Sequence, residues 1–341
     1  MINNRFGQQK GLALISVLLI FAIVAVLAGA MIERQSLDIQ RSGNLQALQQ
    51  ARAYSTGIEY AVRSGLQLDF ENDKEVDHLL EEWAKQHTYP LSPGTAQIQI
   101  FDAQARFNLN SLHPTASDKT AQLQRFKNLL AELGLDEAIA INTAKFIDKD
   151  SQVDDDYLSA EVPYRASYQI FKHPSELLLV ELVDAKSYRM LTPYITALPV
   201  SVTLNVNTAS NIVLSSLSST WSISEADKVV AARGDEGFKK VDDFWGLAEV
   251  EPLTKKDPDA DEKNPKEVWD KADFSVNSEY FEVFAKVDLA DRTATVEMLL
   301  YRNAETGKMR TYYRDYSRTE ARIPASSSID DGDDSNEGNN P

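Results

Sequence analysis

The chain has 341 residues, more than one small folded unit needs, and carries 35 Lys and Arg against 52 Asp and Glu for a formal net charge of −17. That acidity disfavours nucleic-acid binding, because neutralising phosphates requires a basic face. The lack of cysteine removes disulfides, thiolate nucleophiles and Cys-based zinc or iron–sulfur sites together.

The first predicted element is also the most informative. Residues 12–32 run for 21 positions without a formal charge, and as a helix they would reach roughly 31 Å, the thickness of a bilayer's hydrocarbon core. Arg5 and Lys10 precede the run with no acidic residue between them, so the positive-inside bias holds residues 1–11 in the cytoplasm and puts the bulk of the chain across the membrane. Three readings stay open. A secretory signal peptide calls for an apolar core of about 7–15 residues before an Ala-x-Ala-like site, and this run is longer. A plain signal anchor fits the length. The third is a short basic leader ending at Gly11, with cleavage before Leu12 and the apolar helix retained.

Residues 33–68 contain no proline, and Leu37, Leu45, Leu48, Ile58, Val62 and Leu66 fall mostly at three- and four-residue steps. One helix is therefore expected to continue into a water-facing amphipathic half. Gly43, Gly57 and Gly65 weaken it by about 1 kcal/mol each relative to alanine. After a helical patch at 79–83, Pro90 and Pro93-Gly94 are read as a turn, and 96–100 (AQIQI) and 106–109 as short strands. Helical patterns follow at 119–133, 138–147, 174–183, 208–217 and 224–233. Three strongly patterned strands close the chain at 280–289, 293–302 and 309–316, with short polar connections that predict an antiparallel meander.

The implied fold is α+β. A long N-terminal helix packs on an antiparallel sheet, and a large, mainly helical domain is inserted into that sheet. In residue terms this is a leader 1–11, a spine helix 12–66, an α/β domain from 67–111 and 275–320, an inserted helical domain 112–274 and an acidic tail 321–341. Residues 255–271 (KKDPDADEKNPKEVWDK) read as an exposed charged loop, and the tail as disordered.

The densest polar cluster is Asp148, Asp150, Asp154, Asp155 and Asp156. Carboxylates this crowded repel one another, and a hard divalent cation such as calcium is the natural remedy. The segment is not an EF-hand: Val153 stands where the loop's glycine belongs and Ser159 where its final Glu belongs. A solvated acidic loop without an ion is the alternative. The pattern 205–217 followed by 226–245 is SAM-like or helix-hairpin-helix-like, but no Gly-x-Gly hairpin for a phosphate lies between its helices, so it is read as a structural fold. His78, His87, His113 and His173 show no metal spacing, and there is no G-x-S-x-G elbow or phosphate-cradling glycine loop. No enzymatic activity is expected.

The leader, the apolar helix after Gly11 and the following order of motifs resemble one family. The motifs are Arg106-Phe107-Asn108-Leu109-Asn110, the FID-x-D acidic segment leading to Val162-Pro163-Tyr164-Arg165, Ser175-Glu176-Leu177, Asn205-Val206-Asn207-Thr208-Ala209 and Ser275-Val276-Asn277-Ser278. They resemble the K-type minor pseudopilins of type II secretion. Most pilins and pseudopilins carry Glu at the fifth mature position, and the K type characteristically lacks it; here that position is Ser16. The resemblance implies cleavage by a prepilin peptidase between Gly11 and Leu12, a single-pass location in the inner membrane with the bulk periplasmic, and calcium in the inserted domain. It also implies a structural role at the tip of a pseudopilus with I-, J- and possibly H-type pseudopilins, with no nucleic-acid partner. Two rivals are a signal-anchored periplasmic scaffold or binding protein and a membrane-anchored hydrolase.

Overall fold

The computed structural model describes residues 9–92, 94–254, 268–289 and 292–317. The leader up to residue 8, most of the charged loop (255–267) and the acidic tail lie outside the described residues. Helix α1 runs without interruption over Gln9–Asn72, about 96 Å at 1.5 Å per residue. From Leu14 to Gln46 it is exposed throughout. Its second half buries Ile58, Val62, Leu66 and Phe70, a four-residue step that keeps one stripe against the sheet.

A short 3₁₀ turn, Glu82–Ala84, stands where a longer helical patch was expected. It buries Trp83 edge-on to Phe281, with ring centroids 5.3 Å apart. Strands β1 (His87–Leu91) and β2 (Gly94–Asp102) then form a hairpin. The expectation of a turn at Pro90 is corrected here, since Pro90 lies inside β1, opposite Thr95. β1 is the sheet's edge, where a missing N–H is tolerated. Gly94 is required for a different reason: its φ is +119° and an added Cβ would lie 1.9 Å from the carbonyl oxygen of Asp288.

The chain then leaves the sheet and builds two lobes. The first contains β3 (Phe107–Asn108), α2 (Lys119–Glu132), α3 (Ala138–Ile147), α4 (Asp154–Leu158), α5 (Ala185–Leu191) and β4 (Ile195–Thr196). Its core gathers Phe126, Leu129, Ile139, Phe146 and Ile147, with Phe107 stacked on Phe126 at 5.0 Å. The second contains β5 (Leu204–Asn205), α6 (Asn211–Ser215), α7 (Ile223–Arg233), α8 (Val241–Trp245) and β6 (Phe274–Ser275), around Val206, Leu214, Val229, Phe244 and Phe274. Each lobe is closed by a two-residue parallel ladder, β3 with β4 and β5 with β6. The insertion is thus two cores joined near residues 198–204. The segment expected as a helix at 174–183 is instead a 3₁₀ helix, Pro174–Leu179, and that expected at 208–217 is helical only over Asn211–Ser215.

Strands β7 (Tyr280–Leu289), β8 (Arg292–Arg302) and β9 (Met309–Asp315) return to complete a five-stranded antiparallel sheet of order β1-β2-β7-β8-β9. β2 and β7 are neighbours, with Ile100 opposite Val283. The insertion therefore departs and returns on adjacent strands. Phe281, Val283, Ala285 and Leu300 face α1, while Tyr280 and Leu299 on the other face pack on Leu198 of the lobe connection.

Candidate assembly site

The functional features of this chain are surfaces and joints that hold a long helix to a head, and they build up from α1. Residues Leu14–Gln46 form one helical stretch long and apolar enough to cross a membrane, and none of it is buried within the protein. A helix that leaves this many Leu, Ile and Val side chains uncovered has its partner outside the chain, in lipid or other helices. Gly11 and Leu12 lie in the first turns of α1, and Ser16 is exposed on the apolar stretch.

The lower half of α1 is fixed to the sheet by charge as well as by packing. The Glu59 carboxylate, 5 % exposed, accepts from Arg314 Nε at 2.7 Å and Nη2 at 2.8 Å and from Thr311 Oγ1 at 2.5 Å. Burial pushes Glu59 up, but these hydrogen bonds and the charges of Arg314 and Arg63 outweigh it and hold the group below the ordinary Glu value.

A second joint lies where α1 ends. Arg302 of β8 donates to Asp77 Oδ1 at 2.7 Å and to the Ser278 carbonyl at 2.8 Å, and reaches Asp69 on the last turns of α1 at 3.4 Å. Its guanidinium lies 4.7 Å from the Phe281 ring centroid. Asp77, Asp69 and Glu81 bring one carboxylate oxygen each within 4.8 Å of one another. Burial pushes Glu81 to about 7 and Asp69 to about 6, with neighbouring carboxylates adding to both, and it raises Asp77 against the pull of Arg302. Beside them Asp102, fully enclosed, accepts from Asn205 Nδ2 at 3.0 Å, Ser278 Oγ at 2.6 Å and Thr208 Oγ1 at 2.5 Å. Burial drives it to about 6 despite those bonds. The end of α1, both stems of the insertion and β8 therefore meet in one polar knot.

The Asn-x-Asn motifs of the sequence are the fasteners of the lobes. Asn110 donates to the carbonyls of Phe171 and Leu198, both at 2.8 Å, and accepts from the Phe171 N–H at 2.7 Å. Asn207 does the equivalent in the second lobe, donating to the Phe238 carbonyl at 3.0 Å and accepting from its N–H at 2.7 Å. Their signal in the sequence was the motif itself. Asp77, Asp102, Glu59 and Arg302 carried none, because these partners lie 106 to 255 positions away.

The five aspartates are of a kind that suits a hard cation, but their placement does not. Asp148 is paired with Lys119 at 2.8 Å and accepts from the Asp150 N–H at 3.0 Å, and the lysine holds its carboxyl below the usual range. Asp154 is paired with Arg165 at 2.7 Å. Asp154, Asp155 and Asp156 form the first turn of α4, where the helix dipole favours acidic side chains. Among the described residues, no three of the five bring their oxygens within 4.8 Å of one another.

Comparison with known proteins places this architecture. Family models described as type II secretion system (T2SS), protein K match residues 105–200 and 204–262, spanning the two lobes. Type II secretion system protein K of Pseudomonas aeruginosa is 35 % identical, covering 94 % of this chain and 97 % of its own length. The protein of the same name from Klebsiella pneumoniae is 31 % identical, covering 70 % of this chain and 79 % of its own. A chain from the crystal structure of the GspK-GspI-GspJ complex of the enterotoxigenic Escherichia coli type 2 secretion system superposes with a TM-score of 0.69. It is 28 % identical and covers 82 % of this chain and all of that one.

Proposed function

The chain belongs to the type II secretion system protein K family, and on that premise we propose that this minor pseudopilin caps the pseudopilus, joined to I- and J-type minor pseudopilins, and helps initiate its assembly. The observation that carries the tip position is where the insertion leaves the sheet. Its stems, at Asp102 and Ser278, are tied through Arg302 and Asp77 to the end of α1 farthest from the apolar stretch. The two lobes crown the distal end of the helix and would obstruct a further subunit stacking there. Ser16 supports the same reading, since a subunit without a carboxylate at that position has nothing with which to neutralise the amino terminus of a subunit above it.

The finer parts of this reading are also proposals. Cleavage between Gly11 and Leu12 by prepilin peptidase is supported by the short leader with Arg5 and Lys10 and the apolar run beyond it. Insertion of residues 12–32 into the inner membrane, with the head in the periplasm, is supported by the same charge asymmetry. The role is structural rather than enzymatic. Calcium at Asp148, Asp150, Asp154, Asp155 and Asp156 rests on residue type alone, and it would require Lys119 and Arg165 to give way. Labelling of assembled pseudopili with an antibody to the second lobe tests the tip assignment. The expected result is label at one end only, and label along the shaft would refute it.

A further inference from the structure

We propose that the outer face of the first lobe, built by residues 154–184, is a docking surface for a protein segment that combines Lys or Arg with large aliphatic side chains. The surface carries large apolar side chains that stand in solvent among the described residues. Val162 is 76 % exposed, Leu182 51 %, Leu179 47 % and Leu158 41 %. The segments that carry Leu158, Val162 and Leu179 are held together, because the Tyr164 hydroxyl donates to the Leu179 carbonyl at 2.8 Å and the Tyr164 ring packs 5.3 Å from Tyr157, beside Leu158. Uncovered aliphatic groups gathered in this way mark a contact surface more often than isolated ones do.

The same lobe carries left-handed backbone positions. Among the described residues, the non-glycine positions with φ in the left-handed region are Gln152, Tyr168 and Leu182, all in this lobe. Leu182, at φ +70°, holds a branched side chain out in solvent at a conformational cost. That φ belongs to a tight turn closed by the Val183 N–H donating to the Val180 carbonyl at 3.2 Å, and the turn leaves the Leu182 side chain out in solvent.

Charge decides which partner fits. Residues 154–184 hold seven acidic side chains against two basic ones, and even with Asp154, Asp155 and Asp156 given over to a cation, Glu161, Glu176, Glu181 and Asp184 outnumber Arg165 and Lys172. An anionic lipid surface would be repelled, and so would a second copy of this face. Lys or Arg side chains can lay their methylene stems along Val162, Leu179 and Leu182 while their charged ends reach Glu161 and Glu181.

The test uses the full chain in secreting cells. A photo-crosslinking amino acid is placed at Val162 or Leu179, and separately at Leu37 on α1 as a reference for the pseudopilus reading. The expected result is an adduct whose partner peptide, identified by mass spectrometry, carries Lys or Arg among aliphatic residues. Its yield falls about tenfold in Glu161→Lys/Glu181→Lys, while the Leu37 adduct persists. Leu182→Gly, which suits that φ, is expected to melt at a higher temperature and to lose adduct. No adduct at Val162 and Leu179 with the Leu37 adduct intact overturns the proposal. So does an acidic or lipid partner, or an adduct indifferent to both sets of substitutions. Loss of the Leu37 adduct alone counts against the pseudopilus reading instead.

Discussion

Arg302 and Asp77, 225 positions apart in the chain, form an ion pair in which the arginine is 3 % and the aspartate 1 % exposed at the side chain. A buried pair is weak grounds for claiming net stability, but breaking one leaves an uncompensated charge. Arg302→Met strands Asp77 beside Asp69 and Glu81. It is expected to cost about 3–5 kcal/mol, read as a lowered denaturation midpoint at neutral pH. The double variant Arg302→Met/Asp77→Leu should recover much of the loss. An Arg302→Met protein as stable as the parent would contradict the role given to this joint.

The pH dependence of stability should have two limbs of opposite sign. Glu81, Asp69 and Asp102 are raised in the folded state, to about 7, 6 and 6, so the folded chain binds their protons more tightly than the unfolded one. Stability therefore climbs as pH falls through 7 and 6 toward the ordinary carboxylate range, and is lost again as pH rises. Glu59 is lowered, and its contribution is present above the unfolded value and lost as pH falls through the folded one. Melting curves should show a maximum on the mildly acidic side. Asp69→Asn should flatten the upper limb and leave the lower one in place, and an upper limb unchanged by that variant would contradict the assignment.

Two glycines separate backbone strain from close approach. Gly234 has φ +56° with open space around it, whereas Gly237, at φ +67°, would place a Cβ 2.7 Å from Asn207 Nδ2. Gly234→Ala should cost about 1 kcal/mol. Gly237→Ala should cost roughly 2–3 kcal/mol, because it also displaces the amide that fastens Phe238. Equal losses in chemical denaturation would show that the Asn207 fastening is dispensable.

Much of this fold could be read before any coordinates, and the exceptions have physical causes. The spine, read as one helix through residue 68, runs to Asn72, because nothing in its sequence breaks the four-residue stripe. The β7–β9 meander followed from alternation that only a sheet satisfies. β1 was hidden because proline reads as a turn unless the strand is known to be an edge. α4 was hidden because its acidic first turn looks like a loop until the helix dipole is counted. The Asn-x-Asn fasteners were visible as motifs without their use, since their partners are backbone groups brought close by folding. The knot around Arg302 left no trace, because each member is an ordinary charged residue whose partner is set by topology.

The calcium proposal has a specific consequence. Because Lys119 holds Asp148 at 2.8 Å, an ion there competes with the lysine. Lys119→Met should tighten calcium binding in calorimetric titration and enlarge the calcium-dependent rise in melting temperature. Absence of heat and of any thermal shift in both proteins would rule calcium out.

The central claim is that this helix-and-head subunit is completed by other minor pseudopilins. Co-purification of the full-length chain from membranes with I- and J-type minor pseudopilins, followed by mass measurement of the detergent-extracted species, tests it most directly. The account predicts a complex holding one copy of each. Recovery of the chain alone, with both candidate partners present and folded, would contradict it.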